Sequence, residues 1–257
     1  MLSKTVRVLR ASFLLVLTII VIEAVLDIYM DTTTAVRFAL YTIAAFYFHR
    51  TVLIGAPYGP ATQPDSRLPE RDWPETPPWR IFLFMAGLVL VSALVMVLTH
   101  RMLVSPGTGS GLTDATTTDF LFVFAFGCIS IWLILSLFGT AVPAAVLRYN
   151  DELDAIFKRT RHSFFFIASR LLFGPGLLGL LNLVLILFLP GTETFEGFAE
   201  WTKLSDITPA TAFLELVTGL LRLTGTAMTA AILSEGYLRA MEKTGQNVPL
   251  VRPPASS

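Results

Sequence analysis

Six stretches of the chain are long and almost wholly apolar: Ala11–Met30, Ala35–Ile54, Ile81–Val104, Phe120–Leu147, Phe164–Leu189 and Ala212–Leu233. A membrane-spanning helix needs about 20 such residues to cross roughly 30 Å of hydrocarbon at 1.5 Å per residue. All six meet that requirement. The runs are continuous rather than alternating, which predicts helices and not barrel strands. The expected architecture is an all-α polytopic membrane bundle of six transmembrane helices forming one domain. Lys4, Arg7 and Arg10 precede the first run and resemble the start of a signal peptide. Its length, the lack of a small-x-small cleavage site and the five runs that follow predict an uncleaved first span.

The connections differ in character. Residues 56–78 contain seven prolines, a density that forbids a stable helix and favours extended polyproline II. This segment is either a semi-rigid cytoplasmic linker or a strip for partner docking, with Trp73 and Trp79 as anchors. Trp79 and Arg80 also suit the interface at the start of a span. In the fourth connection Leu153, Ile156 and Phe157 recur at helical spacing among charged residues. That pattern predicts a short amphipathic helix on the cytoplasmic lipid surface. Residues 105–118 are rich in Gly, Ser and Thr, and the tail 248–257 reads as flexible. Trp201, with Phe195 and Phe198, suits the outer interface.

Charge then orients the spans. Of the 19 Lys and Arg, 14 fall at the amino terminus, the second and fourth connections and the carboxyl tail, while Arg37, Arg101 and Lys203 fall on the other side. Cytoplasmic loops carry the excess of basic residues, so both termini are expected in the cytoplasm. The zero net charge is a cancellation between a basic inner face and acidic outer loops, and it argues against a nucleic-acid partner.

Composition sharpens the class. Hydrophobic residues make up 54% of 257 positions before the 17 glycines are added, where soluble domains reach about 45–50% with glycine included. Charged residues are 15%, and mean hydropathy is +0.66. This composition excludes disorder and argues against an ordinary soluble domain. The single cysteine, Cys128, rules out an intramolecular disulfide framework and is expected to pack rather than react.

The candidate chemistry lies inside the spans, where an ionisable residue is costly and marks function by default. Glu23, Arg170, Glu215 and Arg222 qualify; Asp27 and Arg37 lie close enough to the outer edge to snorkel. Glu23 sits about eight residues, roughly 12 Å, below the outer edge of span one, and Arg222 about ten residues, roughly 15 Å, below that of span six. The two can meet. They form either an ion pair fixing span one on span six, or, with Glu215, part of a proton or anion path. Arg170 can snorkel inward or bond carbonyls freed near Pro175. Pro143 and Pro175 interrupt spans four and five, as kinks tolerated at a packing interface or as broken helices lining a transport site. Span six carries Gly219, Gly225, Ala227, Ala230 and Ala231, small residues that let helices approach closely in lipid.

No catalytic signature accompanies them. The histidines, His49, His100 and His162, fall near span ends. There is no His-Glu-x-x-His, Walker loop, dinucleotide fingerprint, diphosphate-binding acidic cluster or nucleophile elbow. The expectation is a protein without cofactor or metal that is not an enzyme.

Two stretches carry a resemblance. Phe46-Tyr-Phe-His49-Arg50-Thr-Val-Leu53-Ile-Gly55 is similar to a Trp-His-Arg-x-x-Leu-Leu-Gly-Glu pattern, with Phe48 for Trp and Ala56 for Glu. Gly139-Thr-Ala-Val-Pro143-Ala-Ala followed by Asp154-Ala-Ile-Phe-Lys-Arg-Thr-Arg161 resembles a Pro-containing span end before a surface helix. Both patterns resemble those of uncharacterised proteobacterial six-helix inner-membrane proteins, YciC-like proteins and the membrane domain of some glycerophosphodiester phosphodiesterases. The resemblance implies a bacterial plasma-membrane bundle and carries no catalytic residue over. The expected role is that of a scaffold, accessory or envelope-homeostasis component. The alternative is a small-solute or lipid transporter using the kinked spans. Expected partners are membrane lipids and another membrane protein or a second copy of the chain.

Overall fold

The computed structural model describes residues 2–29, 34–55, 79–103, 117–147, 152–188 and 209–245. Trp73 and the rest of the Pro-rich segment, Trp201, and the tail lie outside them, as do the side chains of Asp27 and Glu215. The described residues are helical and contain no strand.

Charge splits the first apolar run from its basic leader. Residues Leu2–Ala11 form α1 and Phe13–Tyr29 form α2, bent from each other by 75° at Ser12. The first long helix therefore starts after the basic segment. Arg7 and Arg10 would enter the hydrocarbon if the rod continued straight. The bend keeps them exposed while Thr5, Val8 and Ala11 bury, the behaviour of an interfacial amphipathic helix.

The next elements are α3 (Thr34–Leu53), α4 (Trp79–Leu103), α5 (Thr117–Phe138) and α6 (Ala141–Leu147). Gly55 ends α3 at φ 101°, accepting a left-handed turn that other residues resist. The fourth apolar run is two helices, α5 and α6, meeting at 50°. Pro143 causes the break from a distance. Its missing N–H removes the i→i−4 bond to the Gly139 carbonyl, and its ring pushes that carbonyl aside, so the carbonyl accepts from the Val142 N–H at 3.3 Å instead. The helix thus fails at Gly139, and Pro143 itself rests in the first turn of α6, where a proline costs nothing.

Pro175 acts differently. Helix α7 (Leu153–Leu171) passes through a π turn, Leu172–Gly176, into α8 (Leu177–Phe188). The π register begins one residue after Leu171, whose carbonyl Pro175 would have bonded. The extra residue absorbs the clash, so Leu153–Leu185 remains one 33-residue rod. The fourth connection and the fifth run are therefore continuous. Residues 153–162 are the start of this rod and not a separate short helix. Ile156, Arg159, Thr160, Ser163 and Ile167 form a buried stripe on α7. Leu153 and Phe157, the residues that suggested a lipid face, are exposed.

Helix α9 (Pro209–Thr244) holds the rest together. Its 36 residues make a rod of about 54 Å, longer than the ~30 Å hydrocarbon layer, and Gly245 closes it at φ 64°. It packs on α1, α2, α3, α6, α7 and α8. Its small residues permit this crowding: a Cβ added at Gly236 would lie 2.7 Å from the Ile167 side chain on α7. Leu223, Ala227 and Ala230 meet α1, α2 and α3, Ile232 and Leu233 meet α7, and Tyr237, Leu238 and Met241 meet α3 and α6.

The outer surface is apolar. Phe165 is 84% exposed, and Leu90 and Phe173 are each 72% exposed. A surface of this kind needs lipid or a partner against it. Two helices, Leu153–Leu185 and Leu216–Thr244, are long and apolar enough to cross a membrane, and the number is four if each bent pair is one span.

Candidate functional site

A buried carboxylate organises the first polar cluster. Glu23 on α2 is 5% exposed. Tyr41 on α3 donates its hydroxyl to Glu23 Oε2 at 3.0 Å. Arg222 Nη1 on α9 stands 3.5 Å from Glu23 Oε1, and Arg37 Nε stands 4.0 Å from the same oxygen. The structure thus brings Glu23 and Arg222 together, as their depths allowed, and adds Tyr41 and Arg37. Gly219 makes room for the carboxylate, since a Cβ there would sit 3.7 Å from Glu23 Oε2. Arg222 also donates through Nε to the Thr218 carbonyl at 3.3 Å and through Nη2 to Thr218 Oγ1 at 3.2 Å.

Beside this cluster lies a cavity of about 340 Å³, within the usual size range of small-molecule sites. Its walls come from α3, α4, α5, α6, the π turn, α8 and α9. Arg222, Tyr41, Thr226, Thr229, His49 and Asn182 supply its polar lining; most of the remainder is apolar. Both interrupted helices reach it, through Val142 beside Pro143 and through Pro175 itself. Asn182 Oδ1 is buried and has no hydrogen-bond partner among the described residues.

A second polar layer closes the lower end. His49 Nδ1 and Ser234 Oγ share a buried hydrogen bond of 2.9 Å. Arg159, fully buried, sits 5.1 Å from the centre of the Tyr237 ring, and Thr160 bonds the Leu137 carbonyl at the end of α5. Helix α1 is fastened here. Lys4 pairs with Glu235 at 2.6 Å, and Arg239 pairs with the same carboxylate at 2.9 Å. Replacing Ser234 with alanine strands the His49 ring nitrogen and should cost about 1–2 kcal/mol. The unfolding midpoint in denaturing detergent should fall accordingly. Ser130→Ala is the control, because that hydroxyl only bonds back to Phe126 on an exposed face.

The other sequence candidates fall elsewhere. Arg170 does not join Glu23; it stacks on the Phe166 ring at 4.2 Å, with Arg239 on the same ring at 4.3 Å. Glu215 lies on α9, three residues before Thr218, with its side chain outside the described ones. Cys128 is exposed on α5 instead of packed. Trp79 is exposed at the start of α4. Among the described residues no group of His, Cys, Asp or Glu could hold a metal ion.

Tyr41, Asn182 and Thr218 were not singled out by sequence. Asn182 had a usable signal, being a lone amide in the run Leu177–Phe188. Arg159 had none, because it sits in a charged stretch that looks solvated.

The architecture defines a class, an all-helical bundle of membrane character with a polar-ended cavity at two helix interruptions. Comparison with family models, with curated proteins and with solved structures finds no match.

Proposed function

We propose that this chain is a six-span inner-membrane protein, both termini cytoplasmic, that takes up a small ligand from the membrane in the cavity beside Arg222 and acts as a transporter or carrier for it. The observation that carries this reading is the cavity itself: both proline-interrupted helices and the intramembrane arginine line the same space. The six apolar runs, the 14 basic residues on one side and the resemblance in layout to bacterial six-helix proteins support the topology.

Gly225 and Gly179 line the cavity, and a Cβ at either meets nothing within 4 Å. Gly225→Phe and Gly179→Phe therefore start from open space at Cβ and place a ring in the cavity. Each variant should accumulate and unfold like the parent while losing the small molecules that co-purify with it, as read by mass spectrometry. Unchanged co-purification in both variants would remove the cavity from the function.

The scaffold reading rests on the Pro-rich segment 56–78 and its Trp73. Replacing that segment with a Gly/Ser linker should release a co-purifying protein if docking occurs there.

A further inference from the structure

We propose that Arg170 on α7 and Arg239 on α9 hold the phosphate of an anionic phospholipid, its acyl chains lying along the exposed apolar side of α7 and α8. Neither arginine lines the cavity, so this site stands whether or not the cavity takes a ligand. The two guanidinium groups meet on one ring. Arg170 stands 4.2 Å and Arg239 4.3 Å from the centre of Phe166. They are thus no further apart than those distances together, a gap that one phosphate can bridge. Gly236 lets α9 come this close to α7: a Cβ there would lie 2.7 Å from the Ile167 side chain and 3.7 Å from the Phe166 ring.

A guanidinium stacked on a ring uses its face and keeps its N–H edge for an acceptor. Arg170 is half-buried and makes no hydrogen bond or ion pair among the described residues. Arg239 is exposed and gives its Nε to Glu235 Oε1 at 2.9 Å, which keeps both Nη groups for another partner. Glu235 is also shared with Lys4 at 2.6 Å. Planar forks of this kind bind phosphate through paired, charge-assisted hydrogen bonds.

The position along the rod selects a lipid over a free anion. A helical side chain leans toward the amino terminus of its helix. Arg170 therefore extends from inside the fifth apolar run down over Phe166, toward the end of the bundle where Lys4, Glu235 and Arg239 meet. An arginine near a span end reaches the headgroup layer in this way. Above it the large exposed residues of the rod are apolar: Phe173, Leu177 and Leu180. The ten residues from Arg170 to Leu180 rise roughly 15 Å, half of the ~30 Å hydrocarbon layer and so the depth of one leaflet. Basic side chains between helices on the cytoplasmic side suit anionic headgroups, and this end of the bundle faces the cytoplasm in the topology proposed above.

The test uses the full chain in a mild nonionic detergent, with bound lipids counted by native mass spectrometry. Dioleoylphosphatidylglycerol should be retained about tenfold over dioleoylphosphatidylcholine, whose choline offsets its phosphate. Arg170→Gln and Arg239→Gln should each lower that preference to about threefold, and the double variant should abolish it. A variant that merely loosened the bundle would lose both lipids alike, whereas here retention of the anionic lipid alone falls. Arg7→Gln with Arg10→Gln removes two exposed charges from α1 and should leave the preference unchanged. An equal loss there shows a diffuse attraction to the basic end of the protein and overturns the site. Equal retention of the two lipids by the parent, or an undiminished preference in the Arg170→Gln, Arg239→Gln double variant, overturns it too. Displacement of phosphatidylglycerol by millimolar inorganic phosphate shows a free-anion site and overturns the lipid. Gly225→Phe and Gly179→Phe should keep the preference; its loss there would put the lipid in the cavity, which overturns this site and supports the cavity reading.

Discussion

Glu23→Leu should destabilise the bundle by about 2–3 kcal/mol, and adding Arg222→Leu should restore more than half of that loss. Removing one partner of a buried pair leaves an uncompensated charge, which costs about 3–5 kcal/mol at a fully buried site. Here the carboxylate is buried, but the side chains of Arg222 and Arg37 are 29% and 38% exposed, so the penalty is discounted toward the lower figure. The double replacement takes both charges away and leaves Arg37 able to turn outward. Unfolding midpoints of the two single variants and the double variant in denaturing detergent give the coupling energy directly. Additive effects would mean that Glu23 and Arg222 do not act as a pair.

Gly139→Ala should be more damaging than its size suggests, at about 3 kcal/mol. Gly139 stands at the α5–α6 break, and a Cβ there would overlap both the Leu135 carbonyl oxygen and the Leu233 side chain. The leucine could rotate away, but the carbonyl cannot. It accepts the Gly139 N–H at 2.9 Å and is fixed in the last turns of α5. Leu233→Ala should therefore fail to rescue Gly139→Ala, and recovery of the parental midpoint in that double variant would refute the backbone clash. Gly225→Ala makes the contrast on the neighbouring helix. Its Cβ meets only open space, so the variant should be neutral or stabilised by about 0.5–1 kcal/mol, the helical preference for alanine over glycine.

The two prolines show how local sequence and packing divide the outcome. Pro143 and Pro175 both remove a hydrogen bond four residues upstream. The upstream residue after Pro143 is Gly139, flexible enough for the helix to bend by 50°. Upstream of Pro175 is Leu171, buried against the core at 5% exposure, and a bend there would pull it out. A π turn keeps the rod straight instead. The positions of the disturbances were readable from the prolines; whether each became a bend or a bulge depended on what the upstream residue was packed against.

Hydrophobic run length and the spacing of charges are local quantities. They were enough for the helical class, for the membrane character of the surface, and for the comparable depths of Glu23 and Arg222. They were enough too for the basic leader of α1, though not for its 75° turn, which depends on Val8 and Ala11 finding α9 and α3 to bury against. Tertiary structure alone decided the rest. It took Arg159 out of an apparently solvated stretch and buried it under Tyr237. It brought Tyr41 and Arg37 to the same carboxylate, and it opened a cavity between helices distant in sequence. Each of these depends on which helix stands beside which. A periodicity within one helix carries no record of its neighbour, so a buried polar stripe on α7 and a solvent-facing one look alike until α5 and α9 are laid against it.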